Sequence, residues 1–296
     1  MNRLPAELVE RVSSLALTAC AVDSLRATSK TFQTSTDAVL KTLRLHIDVR
    51  DEYVPREEFA KLFYSVRIVH HLTRAYFPNA RVVKIDTYTF PAHLILPPQL
   101  EVLDISNMRL TFMCIHLSRA VTPYIGFLQV LNVSHTQVSS LDDFASAANL
   151  RSLIASNCPH LMCIRAIQYM PGLDYVNVSG CTALHCIRSL SHLKKLTHLN
   201  LNFCSRIHDF SPLSTLTELR SLELCAVNLH SVDFCTTLAQ LEDLDVAHNS
   251  DLETFRPLHT LHVLKTIAVT KCRSSLFMYE PWYKRATSTT LEYIRF

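Results

Sequence analysis

Cysteine and histidine are the residues here best equipped for chemistry, and several fall close together. Cys158, Cys163, Cys181 and Cys186 share one stretch with His160 and His185, a set of soft donors that would suit zinc if four converged. The separations do not fit that use, because no pair among them is a CxxC. His70 and His71 are adjacent but have no partner at ligand spacing, and read as a solvated pair. Nucleophilic catalysis needs a thiol or hydroxyl beside a base, and no Cys/His pair is singled out by spacing. There is no GxSxG and no phosphate-cradling loop, and the only glycines are Gly126, Gly172 and Gly180. A catalytic function is not expected, nor a metal or other cofactor.

The elements that position these residues follow from a repeat. The stretches LRSLIASNC at Leu150, LDYVNVSGC at Leu173, LTHLNLNFC at Leu196, LRSLELCAV at Leu219 and LEDLDVAHN at Leu241 all place apolar residues first, fourth and sixth. With Leu128 and Leu264 added, successive starts are 22, 23, 23, 23, 22 and 23 residues apart. Leu100 precedes Leu128 by 28, one unit with a short insertion, and further outer units are expected at Ala80 (ARVVKID) and Leu291 (LEYIRF). A fixed period of this length with this apolar pattern is the signature of leucine-rich repeats.

Between strands the apolar residues step by three: Ile207, Phe210, Leu213 and Leu216, then Leu229, Val232, Cys235 and Leu238. That step suits a 3₁₀ or irregular return better than a long α-helix. The pattern resembles the short-repeat leucine-rich class, one member of which regulates a protein phosphatase. The expected fold is α/β, a solenoid with a curved parallel sheet and 3₁₀ or irregular returns. No unit can bury its own apolar side chains, so neighbours must stack, and a charge at Leu199, Leu222 or Leu244 should unfold several turns. The ninth position holds Cys158, Cys181, Cys204, Asn249 and Cys272, small donors able to satisfy turn carbonyls that would otherwise be buried unpaired.

Outward strand positions should line the concave face. Its centre carries Tyr175, Asn177, His198, Asn200, Asn202 and Phe203, with Glu223, Asp243 and Asp245 on the C-terminal side. Aromatic groups among polar ones are common interface anchors, and the acidic flank favours a basic partner segment. A protein partner is therefore expected on this face.

Composition agrees with this reading. With 296 residues and 48% apolar content a large core is available. The net charge of +3 comes from 29 basic and 26 acidic residues spread along the chain, so neither nucleic acid nor an anionic membrane is an expected partner. The start MNRLPAELVE has no apolar leader core and no run reaches membrane length. A cytoplasmic or nuclear protein is expected, with its ten cysteines reduced and the NVS sequons at Asn132 and Asn177 unmodified.

The first 40 residues do not follow the repeat. Pro5 sits where a helix can begin. Leu8, Val12 and Leu15 share one helical face, and Asp23 can cap a second helix bearing Leu25 and Phe32. Leu4-Pro5, Glu7-Leu8, Val12, Leu15, Leu25-Arg26, Ser29-Lys30 and Phe32 come in the order and near the spacing of an F-box, which this segment resembles. The resemblance implies docking on a Skp-type adaptor of a cullin-RING ubiquitin ligase, with Leu4, Pro5, Leu8, Val12, Leu15 and Leu25 in contact. The repeats would then hold the protein substrate. One departure is that Ser24 separates Asp23 from Leu25, where many F-boxes have an acidic-leucine pair.

The expected organisation is an F-box-like helical module at 1–40, and at 41–79 a linking first turn (LKTLRLHI) with a capping amphipathic helix over 57–76. The solenoid follows at 80–272 and a C-terminal cap around Trp282 at 273–296. The expected function is that of a non-enzymatic substrate receptor of an SCF-type ligase. The alternative is an intracellular scaffold, or a binding protein of the phosphatase-regulator type, with no ligase role.

Overall fold

Three extended residues per unit, the third to the fifth, with the fourth-place side chain turned inward, are enough to form a strand when the next unit offers the same ladder in register. The structure, a computed structural model, describes residues 48–49, 65–68, 75–76, 80–85, 94–107, 122–272 and 293–295. The repeats supply strands β6 (Val102–Asp104), β7 (Val130–Asn132), β8 (Ser152–Ile154), β9 (Tyr175–Asn177), β10 (His198–Asn200), β11 (Ser221–Glu223), β12 (Asp243–Asp245) and β13 (Thr266–Ala268). They pair in parallel, each position on its counterpart: Leu199 lies against Val176 on one side and Leu222 on the other. The sheet continues beyond the regular repeats, through β1 (Asp48–Val49), β2 (Ser65–Ile68) and β4 (Val82–Ile85) before β6, and β14 (Tyr293–Arg295) after β13, making twelve strands. Leu196, Leu199 and Leu201 are at most 2% exposed, and their equivalents in the other turns join them in one continuous core.

The steps of three become 3₁₀ helices at Arg165–Tyr169, Arg188–His192, Ser211–Thr215, Asp233–Thr237 and Arg256–Thr260. Leu213, Leu216, Cys235 and Leu238 are fully buried along them. The N-terminal coils return differently. From Ser65 to its partner Val82, and from Val82 to Val102, the coils are shorter than the later ones. Their return limbs are short strands, β3 (Ala75–Tyr76) and β5 (Leu94–Ile95), forming a separate parallel pair. A strand advances about 3.3 Å per residue against about 2.0 Å for a 3₁₀ helix, so fewer residues cover the same limb.

The amphipathic helix expected over 57–76 is therefore corrected, since Ser65–Ile68 and Ala75–Tyr76 are strands. Val66 and Ile68 also recur every second residue, and β-branched residues at period two favour a strand. The register opposite Val83 and Ile85 settles the competition, because both of those are buried in the core. The helical module at 1–40, the first turn from Leu40 and the cap around Trp282 lie outside the described residues.

Candidate functional site

The open face of the sheet carries the third, fifth and seventh residue of each unit. Tyr175, His198, Ser221, Asp243 and Thr266 stand in register along one row, and Asn177, Asn200, Glu223, Asp245 and Ala268 along the next. Every strand-borne residue of the expected face is thus brought to one surface. The adaptor set Leu4, Pro5, Leu8, Val12, Leu15 and Leu25 lies outside the described residues.

The fifth-place Asn and Asp side chains have a structural task that their polarity alone did not disclose. Asn177 Oδ1 accepts from the N–H of Ser179, Asn200 Oδ1 from Asn202 and Asp245 Oδ1 from Ala247, at 2.9–3.0 Å. Each closes the strand end in a local Asx turn. Where the fifth place holds Ile154 or Glu223, a neighbouring unit supplies the acceptor: Ser156 N–H donates to Ser134 Oγ at 3.2 Å, and Cys225 N–H to Asn202 Oδ1 at 2.7 Å. The signal was legible as Asn/Asp recurring two residues before a small residue, but its meaning depends on the turn that follows.

The residues left for recognition are then fewer. Tyr175 and His198 stack side by side, ring centroids 6.1 Å apart and tilted by 35°, with Thr197 Oγ1 2.8 Å from His198 Nδ1. Ser221, Glu223, Asp243, Asp245 and Thr266 line an open depression of about 320 Å³. Asn200 and Asn202 both donate to Glu223 Oε2, at 2.6 and 2.7 Å. Partial burial, assisted by the Asp245 charge, nevertheless raises the Glu223 pKa. On the N-terminal side Asp104 is neutralised by Lys84 at 3.5 Å, and along the second-place row Glu242 bridges Arg220 and Lys265 at 2.5 Å each. Among the described residues no basic side chain pairs with Glu223, Asp243 or Asp245. The face therefore grades from aromatic and neutral to uncompensated negative charge.

Phe203 lies beyond the strand, at the eighth place, with φ = 62°. Every turn from Asn107 to Lys271 adopts this left-handed conformation there, which lets the Phe203 N–H extend the ladder to Cys225 O at 2.8 Å. Gly180 takes the same place at φ = 69° without strain, and a Cβ there would meet the Asn157 side-chain Oδ1, which would have to turn aside. Phe203 is the bulkiest occupant of this place and is 56% exposed. A large side chain held both strained and in solvent points to a use outside the core.

The ninth-place cysteines do what their position implies. Cys181, Cys204 and Cys272 each donate to the sixth-place carbonyl of the preceding unit, Ala155, Val178 and Val246, at 3.0–3.1 Å. Cys158 does the same to Val133 at 3.2 Å. Burial pushes the Cys204 thiol up to about 12, which keeps it a donor. Among the described residues no three His, Cys, Asp or Glu side chains gather as metal ligands would, and no helix is long and apolar enough to cross a membrane. On the return side, stacked Phe210 and Phe234, with centroids 6.1 Å apart, line a groove of about 690 Å³. The steps of three placed Phe210 in the core, but it stays half-buried, while Phe234, outside that series, is buried.

No family model and no curated protein matches the chain. Among solved structures, an internalin from Listeria monocytogenes superposes with a TM-score of 0.60 at 16% identity, over 80% of this chain and 76% of that one. A leucine-rich repeat protein of Leptospira interrogans does so with a TM-score of 0.50 at 15% identity, over 82% and 75%. At these identities the likeness is one of fold, and that fold is the leucine-rich repeat.

Proposed function

We propose that this chain is a non-enzymatic substrate receptor: its open sheet face holds a protein target, and its F-box-like N-terminus docks on a Skp-type adaptor of a cullin-RING ubiquitin ligase. The observation that carries the target-binding half is the pairing of Tyr175 and His198 beside Glu223, Asp243 and Asp245, which have no basic partner among the described residues. An aromatic anchor next to unneutralised carboxylates favours a segment with Lys or Arg placed beside an apolar residue. The ligase half rests on the resemblance of residues 1–40. In this reading the chain contributes proximity and orientation, while ubiquitin transfer belongs to the partner ligase.

The test is affinity purification from the native cell with three forms of the chain. Wild type should recover adaptor, cullin and target. A folded variant carrying Leu4→Ala, Pro5→Ala and Leu8→Asp should lose adaptor and cullin but keep the target. A variant carrying Tyr175→Ala, Glu223→Gln and Asp243→Asn should lose the target and keep the adaptor. Absence of adaptor and cullin from the wild-type sample overturns the ligase role and leaves a scaffold.

A further inference from the structure

The residue two places before each 3₁₀ return normally carries a side-chain oxygen that receives the first helical N–H. Ser140 accepts from Asp142, Asp209 from Ser211, Ser231 from Asp233 and Thr254 from Arg256, at 3.0–3.1 Å. In the two consecutive turns between them, that place holds Cys163 and Cys186. Sulfur is a weak acceptor, and neither thiol receives such a bond.

These two residues are also direct partners, forming an isolated parallel bridge between their turns. Bridged strands run about 4.8 Å apart, inside the range of roughly 4.4 to 6.8 Å that Cα atoms span across a disulfide. Parallel register sends both side chains to the same side. Accessibility separates the pair from the ladder of structural thiols: Cys158, Cys181 and Cys204 are buried, whereas Cys163 is half-buried and Cys186 exposed.

We propose that Cys163 and Cys186 are a site of oxidative modification, closing to an intramolecular disulfide when a hydroperoxide reaches the turn surface. The more exposed Cys186 thiolate attacks one peroxide oxygen. The S–O bond forms, the O–O bond breaks, and the departing oxygen takes a proton to leave as water or alcohol. The Cys163 thiolate then attacks the sulfenic sulfur, so that the S–S bond forms, the S–O bond breaks and hydroxide leaves, protonated, as water. The two thiols give up two protons and two electrons, which the peroxide consumes. The product ties together the turns that follow β8 and β9, and so fixes the spacing of the coil that presents Tyr175 and Asn177.

The test uses the full chain, reduced and folded, treated with hydrogen peroxide, then alkylated under denaturing conditions and digested after arginine. Cleavage at Arg151, Arg165 and Arg188 leaves Cys158 with Cys163 on one peptide and Cys181 with Cys186 on the next, so the bond must be assigned by fragmentation. The expected result is loss of two titratable thiols per chain, a Cys163-to-Cys186 link with Cys158 and Cys181 alkylated, and full reversal by dithiothreitol. The variant Cys163→Ser places there the residue that serves at 140 and 231, and should instead accumulate sulfinic acid at Cys186. A link between Cys158 and Cys181, a cross-link between two chains, or unchanged products in Cys163→Ser would overturn the proposal.

Discussion

Asn202 and Glu223 fix one another across neighbouring units: Asn202 Nδ2 donates to Glu223 Oε2 at 2.7 Å, while Asn202 Oδ1 holds the N–H of Cys225. The carboxylate is therefore aimed before any partner arrives, and its charge is bought at the expense of stability. Because burial raises its folded-state pKa above the ordinary 4.5, the folded chain binds this proton more tightly than the unfolded one. Stability falls as pH rises from 4.5 through the folded value, and the loss is complete above it. Glu223→Gln keeps an oxygen for Asn200 and Asn202 but no charge. Thermal unfolding should show the variant more stable than wild type at pH 7.5, with the gap shrinking toward pH 4.5, while affinity for a basic target falls about tenfold.

Phe203 gives the complementary case, a side chain whose backbone prefers another residue. A bulky residue at φ near 60° costs about 1–2 kcal/mol relative to one at ease there, and Asn already occupies the same place at Asn107 and Asn157. Phe203→Asn should raise the urea midpoint by roughly 1 kcal/mol of stability at unchanged slope. If Phe203 contacts the target, the same variant should weaken binding. A gain in stability with no loss of target would remove Phe203 from the site.

The repeat was legible because Leu196, Leu199 and Leu201 recur with their equivalents at a spacing that only stacking can bury, and because the steps of three from Ile207 to Leu216 exclude a long helix. What failed was local. Residues 57–76 carry an amphipathic helical period and a β-branched alternation together, and only the neighbouring ladder at Val83 and Ile85 decides between them. The open face was located but not apportioned: Asn177, Asn200 and Asp245 serve their own turns, a role set by the backbone after the strand. The pairing of Cys163 with Cys186 was hidden for a similar reason. Their separation of 23 residues is meaningless as ligand spacing and becomes adjacency only once the coil is one repeat long.

Cysteine at 163 and 186 forgoes a hydrogen bond that four other turns make. Replacing either by serine should restore it, with the oxygen accepting from Arg165 or Arg188 as Ser231 does from Asp233. Each substitution is expected to stabilise the chain by about 0.5–1 kcal/mol, measurable as a higher urea midpoint under reducing conditions. A loss of stability in both would mean that the thiols are packed in place and the capping comparison does not hold.

Asn249 is the ninth-place residue with the most demanding role. Its Nδ2 donates to Leu224 O and Val246 O at 2.8 Å, and its Oδ1 accepts from Val227 and Leu229 at 3.1 and 3.0 Å. The extra acceptance is needed because the unit before it carries Val227 at the ninth place, and Ala226 and Asn228 are both left-handed around it. Cys204, by contrast, donates to Val178 O, and the Cys181 N–H beside its sulfur also has Val178 O as an acceptor at 3.4 Å. Asn249→Ala leaves two buried N–H groups and a carbonyl short of partners, a loss of roughly 3 kcal/mol or more, whereas Cys204→Ala should cost about 1 kcal/mol. Asn249→Cys restores only the donation and should fall between wild type and alanine. Equal urea midpoints for Asn249→Cys and wild type would show that water, not Asn249, serves the amides of Val227 and Leu229.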